Sequence, residues 1–302
     1  MVKAKRILIT GGSGFLGYKL ASTLCFENKL HYTFKSNNPE IENAVGHELD
    51  LNDFSSIHSL IKNIQPEILI HTAAETSTDV CEKNPGYGMN LNVESTKVLL
   101  EKCKPFNTHF IFCSTDLVFD GKKGAYREKD ILSPIMRYGW TKAEAEKFVA
   151  EAEIPTLILR IALIYGPPTP SGKGGFIKWC LGGLQRGEKV TSFIDEYRTP
   201  IYSGDLVNII SECAEIGLEG ILHAGGPETI SRYELTKRIA SIFECNPELV
   251  EPASLRDYKG KAARPADTTL NISRLQKILL NHPQNVTQGL LHLKSEIDNS
   301  GQ

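Results

Sequence analysis

Two spacings alternate along the first half of the chain: short unbroken apolar runs, and longer stretches in which apolar positions recur every three or four residues. Residues 5–10 form a run of the buried-strand type, and residues 15–26 then carry helical spacing. Residues 32–34 read as a short second strand and 54–63 as a helix. Residues 67–71 are a strand built on Ile68, Leu69 and Ile70, followed by a helix over 90–103 and a strand over 109–113. A long helix falls within 133–153, and 155–161 is a further strand. Strands this apolar, each followed by a helix, predict a parallel sheet covered on both faces. Right-handed crossovers make it an α/β fold, a doubly wound parallel (Rossmann) sheet.

The texture changes after Tyr165. Residues 166–175 are dense in glycine and proline and predict a long loop placed to move over a site. Beyond it the elements are mixed: helices over 176–186, 205–216 and 231–243, and a strand near 220–224. Ser231 and Glu234 have the spacing of a capping box. This half reads as a smaller mixed α/β substrate lobe, covering mainly residues 166–302. Residues 1–165 read as the doubly wound domain, with about 204–224 returning to the main sheet. Residues 298–302 read as a frayed tail.

Composition narrows the function classes. The net charge of -2 comes with no basic stripe, which argues against nucleic acid or an anionic membrane as partner. No apolar run approaches the roughly 20 residues of a membrane helix. The basic start is followed by only a short apolar run, Ile7-Leu8-Ile9, too short for the core of a signal peptide. The seven cysteines are odd in number, scattered and without a C-x-x-C pair. That pattern fits neither a disulfide framework nor a zinc site, and it leads to the expectation of no metal and a reducing cytoplasm.

Candidate chemistry begins at the first strand. Thr10-Gly11-Gly12-Ser13-Gly14-Phe15-Leu16-Gly17 follows a strand and opens a helix. Glycines there permit a tight turn and let backbone N–H groups approach a pyrophosphate. The plainer alternative is a structural turn with no nucleotide. The end of the second strand, where NAD binders usually place a carboxylate for the ribose 2′-hydroxyl, reads Thr33-Phe34-Lys35-Ser36-Asn37-Asn38. Lys35 and Ser36 suit a 2′-phosphate instead, so NADP(H) is preferred and NAD(H) remains possible. As a bare residue, Lys35 is equally a solvated loop lysine. Asp50, followed by Leu51, fits either an acceptor for an adenine amino group or a helix cap.

Ser114-Thr115-Asp116 closes the strand over 109–113, at the sheet edge where open α/β folds bind ligands. Tyr138 and Lys142 lie four apart and share a helix face. A lysine ammonium beside a phenol favours the phenolate and lowers the phenol pKa from about 10. A phenol tuned in this way protonates a carbonyl oxygen while hydride arrives at carbon, and Thr115 donates a hydrogen bond to the same oxygen. Without context the Tyr–Lys spacing describes an ordinary surface tyrosine lying over a lysine stem.

Together these residues resemble the extended short-chain dehydrogenase/reductase superfamily and, within it, the dTDP-4-dehydrorhamnose reductase group. The resemblance rests on residues 10–17, His71-Thr72-Ala73-Ala74, Asp79-x-x-Glu82 and Asn90-Leu91-Asn92-Val93. It continues through Ser114-Thr115-Asp116-Leu117-Val118-Phe119-Asp120-Gly121, Tyr138-Gly139-x-x-Lys142, Arg160, Arg198-x-Pro200 and Arg264-Pro265. It implies an NADPH-dependent reductase of a 4-keto-6-deoxy sugar carried on a nucleotide. Thr115, Tyr138 and Lys142 are the implied catalytic set, with Tyr138 and Lys142 also on the cofactor. Gly11, Gly14, Phe15 and Leu16 line the pyrophosphate, Asp50 and Leu51 border the adenine, and Ala73 and Ala74 run beside the ribose. Asn92 is implied to tie a helix to the active-site strand. Arg198 and Arg264 are the implied ligands of the substrate diphosphate. The family also implies a homodimer through helices 90–103 and 133–153, alongside monomeric members.

The sequence departs from the group at several positions. Arg160-Ile161-Ala162-Leu163-Ile164-Tyr165 stands where the reductases usually read Arg-Thr-x-Trp-Val-Tyr, so Leu163 replaces the tryptophan expected against the sugar. Trp140 within the Tyr-Gly-x-x-Lys motif is unusual, and Asp79-Val80-Cys81-Glu82 keeps both carboxylates of its segment but not the lysine. Two other readings stay open. One is a regulatory subunit, because the methionine adenosyltransferase beta subunit resembles the same group. The other is a sugar-nucleotide epimerase. A dehydratase usually carries an Asp-Glu pair after the catalytic threonine, and here Asp116-Leu117 supplies only the first.

Overall fold

The fold is that of a computed structural model, which describes residues 4–170 and 172–300. The chain runs β1 (Arg6–Thr10), α1 (Phe15–Leu24), β2 (Lys29–Phe34), β3 (Ala44–Glu48), α2 (Phe54–Ile64), β4 (Ile68–His71), α3 (Thr78–Lys83) and α4 (Pro85–Met89). A π turn over Asn90–Glu94 leads into α5 (Ser95–Cys103), then β5 (His109–Thr115), α6 (Arg137–Ala150) and β6 (Thr156–Ile161). These strands and a later one, Gly220–Ala224, form a seven-stranded sheet. From one edge its order is β3-β2-β1-β4-β5-β6 followed by Gly220–Ala224, with every neighbouring pair parallel. This is the doubly wound sheet that the strand–helix alternation predicts.

Successive residues of one strand point to opposite faces, and the core divides accordingly. Ile7 and Ile9 of β1, with Ile68 and Ile70 of β4, pack under α1 and a later helix bearing Leu206, Ile209 and Ile210. Leu8, Leu69, Phe110 and Phe112 face the other way, against Ile57 and Ile61 of α2, Leu99 of α5 and Val149 of α6. Near-continuous apolar strands are what burial on both faces requires.

The second half supplies β7 (Ile164–Tyr165), α7 (Gly175–Gln185), β8 (Val190–Phe193), β9 (Tyr197–Arg198), β10 (Ile201–Tyr202), α8 (Ser203–Glu215) and β11 (Gly220–Ala224). After these come β12 (Ile230–Ser231), α9 (Arg232–Ile242), β13 (Val250–Ala253), α10 (Ser273–Ile278) and α11 (Val286–Ser300). Helix α8 and strand β11 belong to the main sheet, whereas α7, α9 and α11 gather around a separate core of Ile177, Leu184, Leu235, Ile239 and Leu290. Ser231 and Glu234 form the capping box of α9.

Several boundaries differ from the sequence reading. Strand β3 is an edge strand with no fully buried residue, so it has no apolar run to reveal it. The helix expected over 90–103 opens with the π turn and becomes α-helical only at Ser95. Residues 298–300 belong to α11 rather than to a tail, and the remainder of that expectation, Gly301 and Gln302, lies outside the described residues. The same holds for the basic start at residues 1–3 and for Ser171 of the glycine- and proline-rich loop. No described helix is long and apolar enough to cross a membrane.

Candidate active site

The C-terminal ends of β1, β2, β4, β5 and β6 open onto a cleft of about 830 Å³, closed from the far side by the second lobe. Every site residue predicted from the sequence lines it except Ser36, which is exposed and outside the lining.

The glycine turn sits at its floor. Gly11 has a φ of +77°, and a Cβ there would fall 2.9 Å from the backbone of Ala73, so β1 and the turn after β4 approach as closely as only glycine allows. Helix α1 begins at Phe15 with Gly14 as its N-cap, with no side-chain cap and no acidic residue in its first turn. Its leading N–H groups are therefore left for a ligand, at the positive end of the helix dipole. Gly14 itself is held by a hydrogen bond from its N–H to the Gly11 carbonyl, 2.8 Å. These features fit a dinucleotide pyrophosphate at Gly11, Gly14, Phe15 and Leu16, beside Ala73 and Ala74.

At the adenine end two predicted residues meet each other. Lys35 Nζ lies 2.9 Å from Asp50 Oδ2, in an ion pair that is half exposed. Asp50 also accepts from the N–H of Asn52, and these bonds hold its carboxyl below the usual range. The helix-cap alternative for Asp50 falls away, because Asp53 caps α2 by accepting from the N–H groups of Ser55 and Ser56. Leu51 is buried against the core beneath.

The reacting groups stand at the other end of the floor. Thr115 ends β5, and Tyr138 and Lys142 come from the first turns of α6; all three are almost fully buried. Glu82 of α3 accepts a hydrogen bond from the N–H of Arg137 and so anchors the start of α6. Lys142 Nζ lies 3.9 Å over the Phe112 ring, and burial pulls its pKa down to about 8 against the opposing pull of Glu146. The Tyr138 phenol is pushed above its ordinary value by burial and by the nearby Asp116 carboxylate, while the hydroxyl of Thr115 works the other way. The Tyr–Lys spacing predicts a lowered phenol. The reverse holds because desolvation, which disfavours charge on both groups, and the Asp116 carboxylate both act against the phenolate. Tyr138 is consequently a protonated donor in this cleft.

Asn92 lies within the π turn. Its amide accepts from Glu75 N–H at 2.8 Å and donates to Glu75 O and to Thr141 Oγ1. It therefore ties the loop after β4 to helix α6, next to Lys142, rather than to the active-site strand β5. His71 bridges Thr10 and Thr96 through its two ring nitrogens, and burial keeps it neutral, with a pKa near 3.

Where the second lobe closes the cleft, three arginines surround one buried carboxylate, Glu196. Arg198 is fully committed. Its Nη1 donates to Tyr197 O and Ala266 O, its Nη2 to Glu196 and Pro265 O, and its Nε pairs with Asp116 at 3.5 Å. Arg264 forks onto Glu196 through Nε and Nη2. The third is Arg232. No motif marks it; it joins the cluster because β12 pairs antiparallel with β9, setting residues 230–231 beside 197–198.

Comparison with known proteins gives this geometry a family. Residues 5–298 match the model described as the RmlD substrate binding domain. A crystal structure from Sulfolobus tokodaii, described as a hypothetical dTDP-4-dehydrorhamnose reductase, is 33% identical with a TM-score of 0.83, covering 94% of this chain and 98% of that one. A dTDP-4-dehydrorhamnose reductase from Bacillus anthracis, solved in complex with NADP, is 25% identical with a TM-score of 0.84, over 97% and 99% of the two chains. The methionine adenosyltransferase 2 subunit beta of Bos taurus is 29% identical over 283 residues, 91% of this chain and 82% of that protein. The chain belongs to the RmlD substrate-binding-domain family, within the extended short-chain dehydrogenases/reductases.

Proposed function

We propose that the protein is an NADPH-dependent reductase that delivers hydride to the keto group of a nucleotide-linked 4-keto-6-deoxy sugar, with Tyr138 as the acid. The observation that carries this reading is that Thr115, Tyr138 and Lys142 line the same cleft as the uncapped α1 N-terminus, at the C-terminal edge of one sheet. The glycine turn holds the cofactor pyrophosphate, Lys35 faces the adenosine 2′-phosphate, and Lys142 meets the nicotinamide ribose. NADPH supplies the hydride when bound, and NADH serves less well. Thr115 positions the carbonyl oxygen by hydrogen bonding, and Tyr138 transfers its proton to that oxygen as the carbon is reduced, leaving an alcohol. The Lys142 ammonium stabilises the phenolate left behind. Leu163, where relatives of this type carry tryptophan, leaves the sugar end of the cleft less aromatic. Seven free thiols support a reducing cytoplasm as the working compartment.

A second reading, an NADP-binding regulatory subunit, draws on the similarity to the methionine adenosyltransferase beta subunit. Turnover separates the two. NADPH oxidation with a dTDP-linked 4-keto-6-deoxy sugar is expected for the wild type, and Tyr138→Phe is expected to slow it by about 10²–10⁴-fold while NADPH binding stays within about twofold. A Tyr138→Phe variant that reduces the sugar at the wild-type rate overturns the acid assignment. A wild type that binds NADPH but turns over no keto sugar, and co-purifies with a partner at fixed stoichiometry, favours the subunit.

A further inference from the structure

Five buried polar side chains lead from the glycine turn to helix α6. Thr10, His71, Asn92, Thr96 and Thr141 are each no more than 2% exposed, and none of them lines the cleft. Buried polar groups are retained where their hydrogen bonds are complete. Thr10 Oγ1 lies 2.6 Å from His71 Nδ1, and His71 Nε2 lies 3.0 Å from Thr96 Oγ1. Which way these two bonds point depends on where the ring carries its proton, and the partners decide it. Thr96 already donates its hydroxyl proton to Asn92 O at 2.8 Å, so it accepts from the ring, and the proton sits on Nε2. Thr10 Oγ1 already accepts from Ala73 N–H at 3.3 Å, and its own proton meets the bare Nδ1. The opposite tautomer leaves Thr10 accepting twice and donating nowhere, and takes the Thr96 proton away from Asn92 O.

The same direction continues to α6. Asn92 Nδ2 donates to Thr141 Oγ1 at 2.9 Å, and Thr141 Oγ1 donates to Tyr138 O at 2.8 Å. All five bonds therefore point from Thr10 towards the backbone of Tyr138, with Asn92 joining the two halves through its own atoms. Hydrogen bonds aligned head to tail strengthen one another, so the run holds its ends more firmly than unrelated contacts would. Thr10 precedes Gly11, and its bond from Ala73 N–H holds β1 against the turn after β4, the two segments that fit the cofactor pyrophosphate. Tyr138 O, at the other end, lies one helical turn before Lys142. A neutral imidazole suits the middle of the run, because it offers one donor and one acceptor on a rigid ring. Burial and the Lys142 ammonium keep it neutral, since both oppose an imidazolium.

We infer that His71, as its Nε2–H tautomer, is a positioning residue that locks the glycine turn of the cofactor site to the first turn of α6, so that one hydrogen-bonded run sets both the dinucleotide and Tyr138. Its effect on rate rests on the reductase reading of Tyr138, whereas the coupling of turn to helix rests on the run itself.

The test is a cycle of buried substitutions in the full chain. It is read by calorimetric titration with NADPH, by kcat for reduction of a dTDP-linked 4-keto-6-deoxy sugar, and by hydrogen exchange of the amides at the start of α6 with NADPH bound. Thr96→Val keeps the side-chain shape and cuts only the arm towards α6. It is expected to lower kcat about tenfold, the loss of one such bond, and to leave the NADPH Kd within about twofold. His71→Leu cuts both arms, so it should lower kcat by a similar factor and weaken NADPH binding about tenfold. Adding Thr96→Val to His71→Leu should change kcat no further, because that arm is already cut. His71→Gln, whose amide N–H falls near the Nε2 position, should recover kcat to within about threefold while NADPH binding stays weak. If His71→Leu does not fold, Thr10→Val cuts the run at its other end and should weaken NADPH binding about tenfold. Losses in kcat that add, or a Thr96→Val kcat within about twofold of wild type, overturn the inference while the reductase reading stands. If the wild type reduces no keto sugar, the reductase reading falls and exchange decides. Faster exchange at the start of α6 in Thr96→Val then upholds the coupling, and unchanged exchange overturns it.

Discussion

Lys142 is 1% exposed and lies over an aromatic ring, so its ammonium gives up water for a quadrupole and the distant pull of Glu146. Its folded pKa of about 8 lies below the usual 10.5, which means the fold works against the charge that the proposed mechanism uses. Below pH 8 both folded and unfolded chains carry the proton, and the destabilisation is complete. Between pH 8 and 10.5 the unfolded chain binds a proton that the folded one does not, so stability rises with pH through that window. A gap of about 2.5 units corresponds to about 3 kcal/mol. Lys142→Met, which keeps the volume, is expected to raise the unfolding free energy at pH 7 by about 1–3 kcal/mol, and to lose most of that advantage by pH 10. The same substitution should abolish reduction. Urea unfolding at the two pH values checks the first expectation, and equal stabilities at pH 7 would refute it. In the wild type, kcat/KM for reduction should fall as pH rises through about 8, where the free enzyme loses the ammonium.

At the scale of elements, helix α6 is held against β5 and β6 by a buried polar core. Arg160 of β6 meets Glu146 of α6 through Nε and Nη2, both side chains 3–4% exposed, and Ser114 of β5 donates to the same carboxylate. Removing one partner strands a charge. Glu146→Ala is expected to cost about 3–5 kcal/mol, whereas Glu146→Leu combined with Arg160→Met should recover most of it, because the pair is then replaced by apolar volume. Denaturant titration of the three proteins decides; a double variant no more stable than Glu146→Ala would show that the ion pair does more than cancel its own desolvation. Elements of this kind differ in how visible they are before folding. The strands of the sheet were legible because burial on both faces demands runs such as Ile68-Leu69-Ile70, and the glycine turn because its position between strand and helix is its signature. Strand β3 was silent, since an edge strand needs no apolar run. The π turn that places Asn92 has no residue pattern of its own. Helix α11 did carry a signal, Val286, Leu290 and Leu293 at helical spacing, in a segment without motifs. The candidate site divides likewise. Thr115, Tyr138 and Lys142 are fixed by local spacing, whereas Arg232 reaches the cleft through the pairing of β12 with β9, a contact between segments more than thirty residues apart.

The whole molecule is two cores meeting at one cleft, and ligand binding is the quantity that reports on it. The sheet side of the cleft offers an uncapped helix terminus and Lys35; the lobe side offers the arginine cluster. In the proposed complex a dinucleotide draws on the sheet core, and its adenosine 2′-phosphate adds up to two charges next to Lys35, which in the free cleft is paired with Asp50. That pair is half exposed and worth little by itself, about 0–1 kcal/mol, so exchanging Asp50 for a phosphate costs little and gains a charge-assisted hydrogen bond. NADPH at about 100 times its Kd should stabilise the fold by about 2.7 kcal/mol, read as a rise of several degrees in Tm. NADH at the same concentration should give a smaller rise. Lys35→Ala is expected to weaken NADPH binding about tenfold and to leave NADH within about twofold, so that the two cofactors raise Tm nearly equally in the variant. Added salt should shrink the wild-type preference in the same direction, since the contact is solvent-accessible and screened. A Lys35→Ala protein that still prefers NADPH by the full wild-type margin would move the discrimination to another residue of the β2–β3 edge.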